Sequence, residues 1–343
     1  MPVLAAISPA DPLFGYIYYV LGGWFIGSSA ALFLCGILVP QITTYFSWYT
    51  NDPLAMRAGV AVVFVLSILK AIQAFAITWI NSILYMQDVE GTYALQRTWI
   101  QVVNIPLGAI IAAYCQLYYC YRLYKLSGRW WVVAPIIIVI LLALIGAFIT
   151  ASVIATTGGS TDWFAVHVVC TFATDLLITA VSTFLLMKAR EKALKQTKKL
   201  IGNVIKVSCQ TALPATAAML IELICWGVAS TGNAFKPTPM NSITIVLLDM
   251  TPFIYVNCML YLLNTRRTLR LVDGSTGLSN SINGTTHPAS GRRGWRTGAG
   301  PNGALELGTV SVHVRTEVDI DGDTRTTASG IDDFDNKKAD AGF

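Results

Sequence analysis

An all-α fold, a seven-transmembrane-helix bundle, is predicted by three observations. The chain of 343 residues is 54% hydrophobic and 13% charged, with a mean hydropathy of +0.58, which is too apolar for a soluble domain of this size. Seven stretches reach the about 20 apolar residues that a helix needs to cross a hydrocarbon core of roughly 30 Å. The loops between those stretches alternate between strongly basic and acidic or near-neutral, as loops on opposite sides of a bilayer do.

The seven stretches, in order, are about Tyr16 to Val39, Arg57 to Ile80, Ile100 to Tyr121, Trp131 to Ala155, Trp163 to Met187, Ile201 to Ala229 and Ile243 to Leu263. Within the first, Gly23 and Gly27 form a GxxxG pair that lets a neighbouring helix approach closely, and packing inside the bundle is the expected use ahead of homodimerisation. Trp24, Trp48, Trp79, Trp99, Trp130, Trp131, Trp163 and Trp226 fall mostly near the ends of stretches, where an amphipathic indole prefers the headgroup layer. Pro214 in the sixth and Pro252 in the seventh remove backbone donors and are expected to bend their helices.

Orientation follows from the basic loops. Lys188, Arg190, Lys192, Lys195, Lys198, Lys199 and Lys206 face the single acid Glu191 between the fifth and sixth stretches. Arg57 lies at the first loop, and Arg122, Lys125 and Arg129 at the third, on the same side. Asp11, then Asp88 and Glu90 with Arg97, then Asp162, then Lys236 lie on the other. Short loops rich in Lys and Arg stay cytoplasmic, so the N-terminus is expected outside and the C-terminus inside. The boundaries expected are an extracellular N-terminus over residues 1–15, a seven-helix domain over 16–270 and a disordered cytoplasmic tail over 271–343, rich in Gly, Ser, Thr, Asn and charge.

Several classes are set aside. The positive excess sits in loops where orientation and anionic headgroups account for it, so a nucleic-acid partner is not expected and the bilayer, with anionic lipid at its cytoplasmic face, is. A cytoplasmic adaptor on the basic face or tail is a further expected partner, and the plasma membrane is expected ahead of an internal one. Cys35, Cys115, Cys120, Cys170, Cys209, Cys225 and Cys258 all fall inside apolar runs and read as free packing residues. No basic region precedes the first apolar run, so a cleaved signal peptide is not expected. Asn283-Gly-Thr285 has the pattern of a glycosylation sequon, and on the inner side it is expected to stay unmodified. No internal repeat of the halves is evident, which counts against transporters built from duplicated units.

Chemistry, where it exists, belongs to ionisable groups inside the stretches. Each costs roughly 2.5 to 3.5 kcal/mol on insertion scales and normally faces the bundle interior with a partner. They are Lys70 in the second stretch, His167 and Asp175 in the fifth, Glu222 in the sixth and Asp249 in the seventh. His167, Thr171, Asp175, Thr179 and Ser182 recur at helical spacing and make one polar stripe. Ser67, Lys70, Ala74 and Thr78 form a small and polar row, and Asp249, Asn257 and Asn264 share one face of the seventh. The functional reading is a polar cavity between the second, fifth, sixth and seventh helices, open to the outside, with Lys70 paired to Asp175 or Asp249. The structural reading of the same residues is an ion pair and polar network that only fixes helix register.

Other chemistry finds no footing. The seventh stretch contains no lysine for a retinal Schiff base. With His167 the one histidine in the stretches, no metal site is expected, and no cofactor is. No nucleophile and base pair stands out, so an enzyme is not expected. Arg122 lacks a preceding acid and does not match the acidic-Arg-aromatic lock of rhodopsin-like receptors.

Three segments carry a resemblance. The third stretch runs into Cys115-Gln116-Leu-Tyr-Tyr-Cys-Tyr-Arg122-Leu-Tyr124-Lys-Leu-Ser127, the seventh ends in Tyr255-Val-Asn257-Cys258-Met-Leu260-Tyr-Leu-Leu263-Asn264-Thr-Arg266, and the first contains Gly36-Ile-Leu-Val-Pro-Gln41 followed by Tyr45. Over roughly Gly22 to Arg266 the chain resembles integral membrane proteins of mushroom-forming fungi known only as a domain of unknown function. Cys258 stands where that family usually has serine, and Lys70 where an acidic residue is common. The resemblance implies seven helices, an outside N-terminus and membrane residence, and marks Gln116, Arg122, Tyr255, Asn257, Asn264 and Arg266 as an inner-face motif. The role expected is that of a receptor-like sensor, with a transporter or channel using the intramembrane charges, or a lipid-organising structural protein, as alternatives.

Overall fold

A computed structural model describes residues 16–85, 91, 94–95, 97–157, 162–192, 195–231 and 238–282. The chain divides into a unit of residues 1–286 and one of residues 287–343, and the latter lies outside the described residues, as do the expected extracellular segment before residue 16 and the sequon. Among the described residues, seven helices are long and apolar enough to cross a membrane. We label them α1 (Gly22–Trp48), α2 (Leu54–Trp79), α3 (Asn104–Ser127), α4 (Trp130–Thr157), α5 (Asp162–Lys192), α6 (Lys195–Thr231) and α7 (Pro239–Ile282). A π-helical turn, Tyr16–Leu21, leads into α1, another, Ile80–Leu84, closes α2, and a short helical turn, Trp99–Val102, leads into α3. Over the described residues the protein is all-helical, and it is a multi-pass integral membrane protein.

Each helix exceeds the apolar run that announced it, because polar backbone at the ends is as well satisfied by continuing the helix as by leaving it. Thus α1 passes through Pro40 to Trp48 instead of stopping at Val39, and α6 and α7 run continuously through Pro214 and Pro252. Gly128, at φ +64°, ends α3 in the left-handed conformation favoured by glycine, and its N–H returns to the carbonyl of Tyr124 at 2.8 Å.

The outer surface carries many large apolar side chains, including Phe33, Phe75, Ile138, Phe184 and Leu213, while Ser28, Ser67, Lys70, Asn104, Asp175, Glu222 and Asp249 are buried inside. That inversion of the soluble pattern is what hydrocarbon solvent selects. The inside is closed by small residues. A Cβ on Gly23 would stand 3.1 Å from Ser242 Cα, and one on Gly27 would stand 3.1 Å from Val246 Cα, so the GxxxG pair seats α7 directly against α1 within the bundle. Along this seam Gly23 meets Ser242, Gly27 meets Val246 and Asp249, and Gln41 meets Asn257 and Asn264, so the two helices run parallel. On the other side of the bundle, a Cβ on Gly146 of α4 would lie 3.1 Å from the backbone of Trp163 and His167, which brings α4 and α5 equally close.

Candidate functional site

The five intramembrane ionisable residues do not share one cavity. They divide into a charged knot, a carboxylate joint and a small hollow.

The knot forms around Lys70, whose side chain is completely buried. Its Nζ lies 3.5 Å from Asp249 Oδ1, donates to the Asn104 backbone carbonyl at 3.2 Å, and donates to Asn104 Oδ1. Asn104 Nδ2 in turn donates to Asp249 Oδ1 at 3.1 Å, and Ser28 Oγ donates to Asp249 Oδ2 at 3.4 Å. One carboxylate and one ammonium thereby tie α1, α2, the start of α3 and α7. Of the two partners open to Lys70, the structure selects Asp249. A buried pair of this kind holds only when its remaining donors and acceptors are also filled, as Asn104 and Ser28 fill them here. Asn104 and Ser28 are not singled out in the sequence, since an Asn or Ser inside an apolar stretch carries no charge to mark it.

Asp175 binds elsewhere. Its Oδ1 accepts from Gln116 Nε2 at 2.8 Å, its Oδ2 accepts from the Tyr255 hydroxyl, and Gln116 Nε2 also reaches the Thr171 carbonyl at 3.2 Å. Three helices, α3, α5 and α7, therefore meet on one buried carboxylate with two neutral donors and, among the described residues, no cation in contact. Beside it lies a cavity of about 40 Å³, bordered by Arg122, Thr179, Ser182, Ser208 and Thr211 among others. Arg122 donates to Ser208 Oγ at 2.8 Å, which links α3 to α6. The Tyr119 hydroxyl, buried on the same cavity, has no hydrogen-bond partner among the described residues. A volume of about 40 Å³ accommodates up to about three waters, at roughly 10–15 Å³ for each.

The hollow lies between α3, α5, α6 and α7 and measures about 20 Å³. His167, Thr171, Glu222, Thr251 and Tyr255 line it. His167 Nδ1 sits 2.9 Å from the Ala143 carbonyl, which can only accept, so Nδ1 carries the hydrogen. Glu222 is 2% exposed and makes no hydrogen bond or ion pair among the described residues.

The remaining motif residues fasten the end of the bundle that carries Arg122. Asn257 Oδ1 accepts from Gln41 Nε2 at 2.9 Å and its Nδ2 donates to the Phe253 and Leu34 carbonyls, while Asn264 Nδ2 donates to the Gln41 carbonyl at 2.9 Å. Arg266 donates to Asp52 Oδ2 at 2.7 Å and lies 4.6 Å over the ring of Tyr49. Tyr45 donates to the same Asp52 oxygen at 3.0 Å, and the Tyr49 hydroxyl donates to the Asn264 carbonyl at 2.9 Å. Asp52 was not foreseen, because a loop acid next to Asn51 and Pro53 reads as turn chemistry. Between α2, α3 and α7 at this end runs an apolar groove of about 380 Å³, lined by Met56, Gly59, Tyr114, Leu117, Tyr118 and Met259 among others. Gly59 makes room there, since a Cβ would stand 2.6 Å from the Tyr114 hydroxyl.

No curated protein and no solved structure matches the chain. Residues 171–268, which hold Asp175, Glu222, Asp249 and the closing motif from Tyr255 to Arg266, match a family of unknown function (DUF6534).

Proposed function

We propose that this protein is a non-enzymatic, receptor-like membrane sensor, with its N-terminus outside and its basic end facing the cytoplasm. The observation that carries the reading is the Asp175 joint. Closely packed apolar side chains admit one arrangement, whereas a carboxylate shared by three helices beside a small cavity bordered by hydroxyls and Arg122 can exchange one partner for another. Arg122 borders the same cavity from α3, so a change of partner at Asp175 is transmitted toward the basic end through α3, α6 and α7. The segregation of the charges supports sensing over conduction, because Lys70 and Asp249 neutralise each other inside the knot. Arg57, Arg122, Arg129 and the basic segment from Lys188 would hold anionic lipid at that end, and a cytoplasmic adaptor would find the same surface.

The test compares wild type with Asp175→Asn in lipid nanodiscs, with spin labels at the basic ends of α3 and α6. Asn donates and accepts differently at the same size, so the distance distribution between the labels is expected to shift while the protein remains folded. An unchanged distribution sinks the reading. So does flux of protons or solute across proteoliposomes under an imposed pH gradient that Asp175→Asn abolishes in correctly folded protein, which assigns the charges to transport.

A further inference from the structure

The small hollow beside Glu222 is chemically incomplete in a way the knot and the joint are not. Glu222 is a buried carboxyl with no hydrogen bond or ion pair among the described residues, and a carboxylate left alone in low dielectric costs far more than a neutral acid. The Thr251 hydroxyl, on the same hollow, is buried without a hydrogen-bond partner among the described residues. His167 completes the set. With Nδ1 committed to donate to Ala143, its Nε2 has a lone pair to offer when the ring is neutral and a second N–H when it is charged. Three side chains from α5, α6 and α7 thus converge on a space of about 20 Å³, room for one water at roughly 10–15 Å³.

We infer that this hollow is a proton-binding site, in which one water joins Glu222 to His167 and Thr251 and the Glu–His pair takes up a single exchangeable proton. Before uptake the carboxylate accepts from the water and the imidazole is neutral, a net charge of minus one. The incoming proton forms an O–H bond at Glu222 or, relayed by the water, an N–H bond at His167 Nε2, and either product is neutral overall. The water has enough to bond to: before uptake it donates one hydrogen to Glu222 and the other to Nε2 and accepts from the Thr251 hydroxyl, and after uptake the newly protonated Glu222 or Nε2 donates to it.

Other ionisable groups near the hollow are accounted for. From α3 the hollow meets Ile105, Gly108, Ala109 and Ala112, none of which titrates. From α7 it meets Tyr255, whose hydroxyl is committed to Asp175, and Asp175 lies beyond that hydroxyl. Asp249 on α7 is engaged with Lys70, Asn104 and Ser28, and Cys225 lies three residues from Glu222 on its own helix. Asp175 and Asp249 are therefore the other buried carboxyls among the described residues whose titration a measurement must separate from that of Glu222. The site is distinct from the Asp175 cavity, so it stands or falls apart from the sensor reading.

Infrared difference spectroscopy of the full chain in bilayers, titrated from acid to alkaline pH, tests it. A protonated-carboxyl stretch is expected that disappears in Glu222→Gln, persists in Asp175→Asn, and shifts in Thr251→Val and in His167→Gln. The last two variants keep the Glu222 carboxyl, so they decide the matter even where Glu222→Gln folds poorly. Absence of any protonation band, from a carboxyl or an imidazolium, that depends on Glu222, or a band indifferent to both Thr251→Val and His167→Gln, overturns the proposal. A melting temperature raised by sodium but not by N-methylglucamine at equal ionic strength, and only when Glu222 is present, also overturns it, in favour of a metal cation.

Discussion

Lys70 and Asp249 show what a buried charge requires of its neighbours. Neither side chain has any exposure, so each must find its whole solvation within the bundle. Asn104 and Ser28 provide the part that the pair cannot provide for itself. Removing one partner leaves the other charged and alone, a change that typically costs about 3–5 kcal/mol, whereas removing both and refilling the space with apolar atoms is often neutral. Lys70→Met is accordingly expected to lower the melting temperature and the folded yield sharply. Lys70→Met combined with Asp249→Leu should recover most of the loss, as measured by thermal unfolding in detergent. Strictly additive effects of the two substitutions would show that the pair is not coupled. The ionisable groups themselves were visible in the sequence because charge stands out in apolar runs. Their pairing was not, because Asp175 and Asp249 are equally plausible acids for Lys70 until helix positions are known. His167, Asp175 and Glu222 were also placed in one expected cavity, yet Tyr255 and Gln116 claim Asp175 and leave His167 and Glu222 to a separate hollow.

At the scale of helices, the seam between α1 and α7 is set by two glycines and a row of amides. Gly23 and Gly27 remove the side chains that would hold α7 away, and the amides of Gln41, Asn257 and Asn264 lock the register farther along. The GxxxG spacing made the close approach legible, and Asn257 and Asn264 on one face made the bonding edge legible. Which helix faced them was not, since the first and last stretches are far apart in sequence. Gly27→Leu is expected to be severe, because even its Cβ would meet Val246 Cα at 3.1 Å and Asp249 Cβ at 3.3 Å. Overpacking of this kind costs typically about 1–3 kcal/mol where neighbours can yield, and here the neighbour is backbone. Gly22→Leu, five residues earlier and with nothing within 4 Å of its Cβ, is the matched control and should leave folding intact. Equal melting temperatures for the two variants would show that α1 and α7 do not depend on this contact.

For the whole molecule, the seven spans were readable because hydrocarbon solvent demands length and apolarity of every crossing, a requirement independent of tertiary contacts. The same physics supplies an orientation that the fold alone does not contain, since a bundle and its inversion have the same internal contacts. Arg57, Arg122, Lys125, Arg129, Lys188 and Arg190 fall at one end, and Asp162 at the other. A basic end is held on the cytoplasmic side by the insertion machinery and by anionic headgroups. Two exposed positions report the two ends, Arg129 beside the turn at Gly128 and Asp162 at the start of α5. In intact cells a membrane-impermeant maleimide is expected to label Asp162→Cys at once and Arg129→Cys only after permeabilisation, over the background of the unmodified chain. The seven native cysteines lie inside the spans, which keeps that background low. The reverse pattern would put the basic end outside. The cavity beside Asp175, Arg122 and Ser208 would then face the extracellular medium, and a signal through it would have to run from α3 and α6 inward.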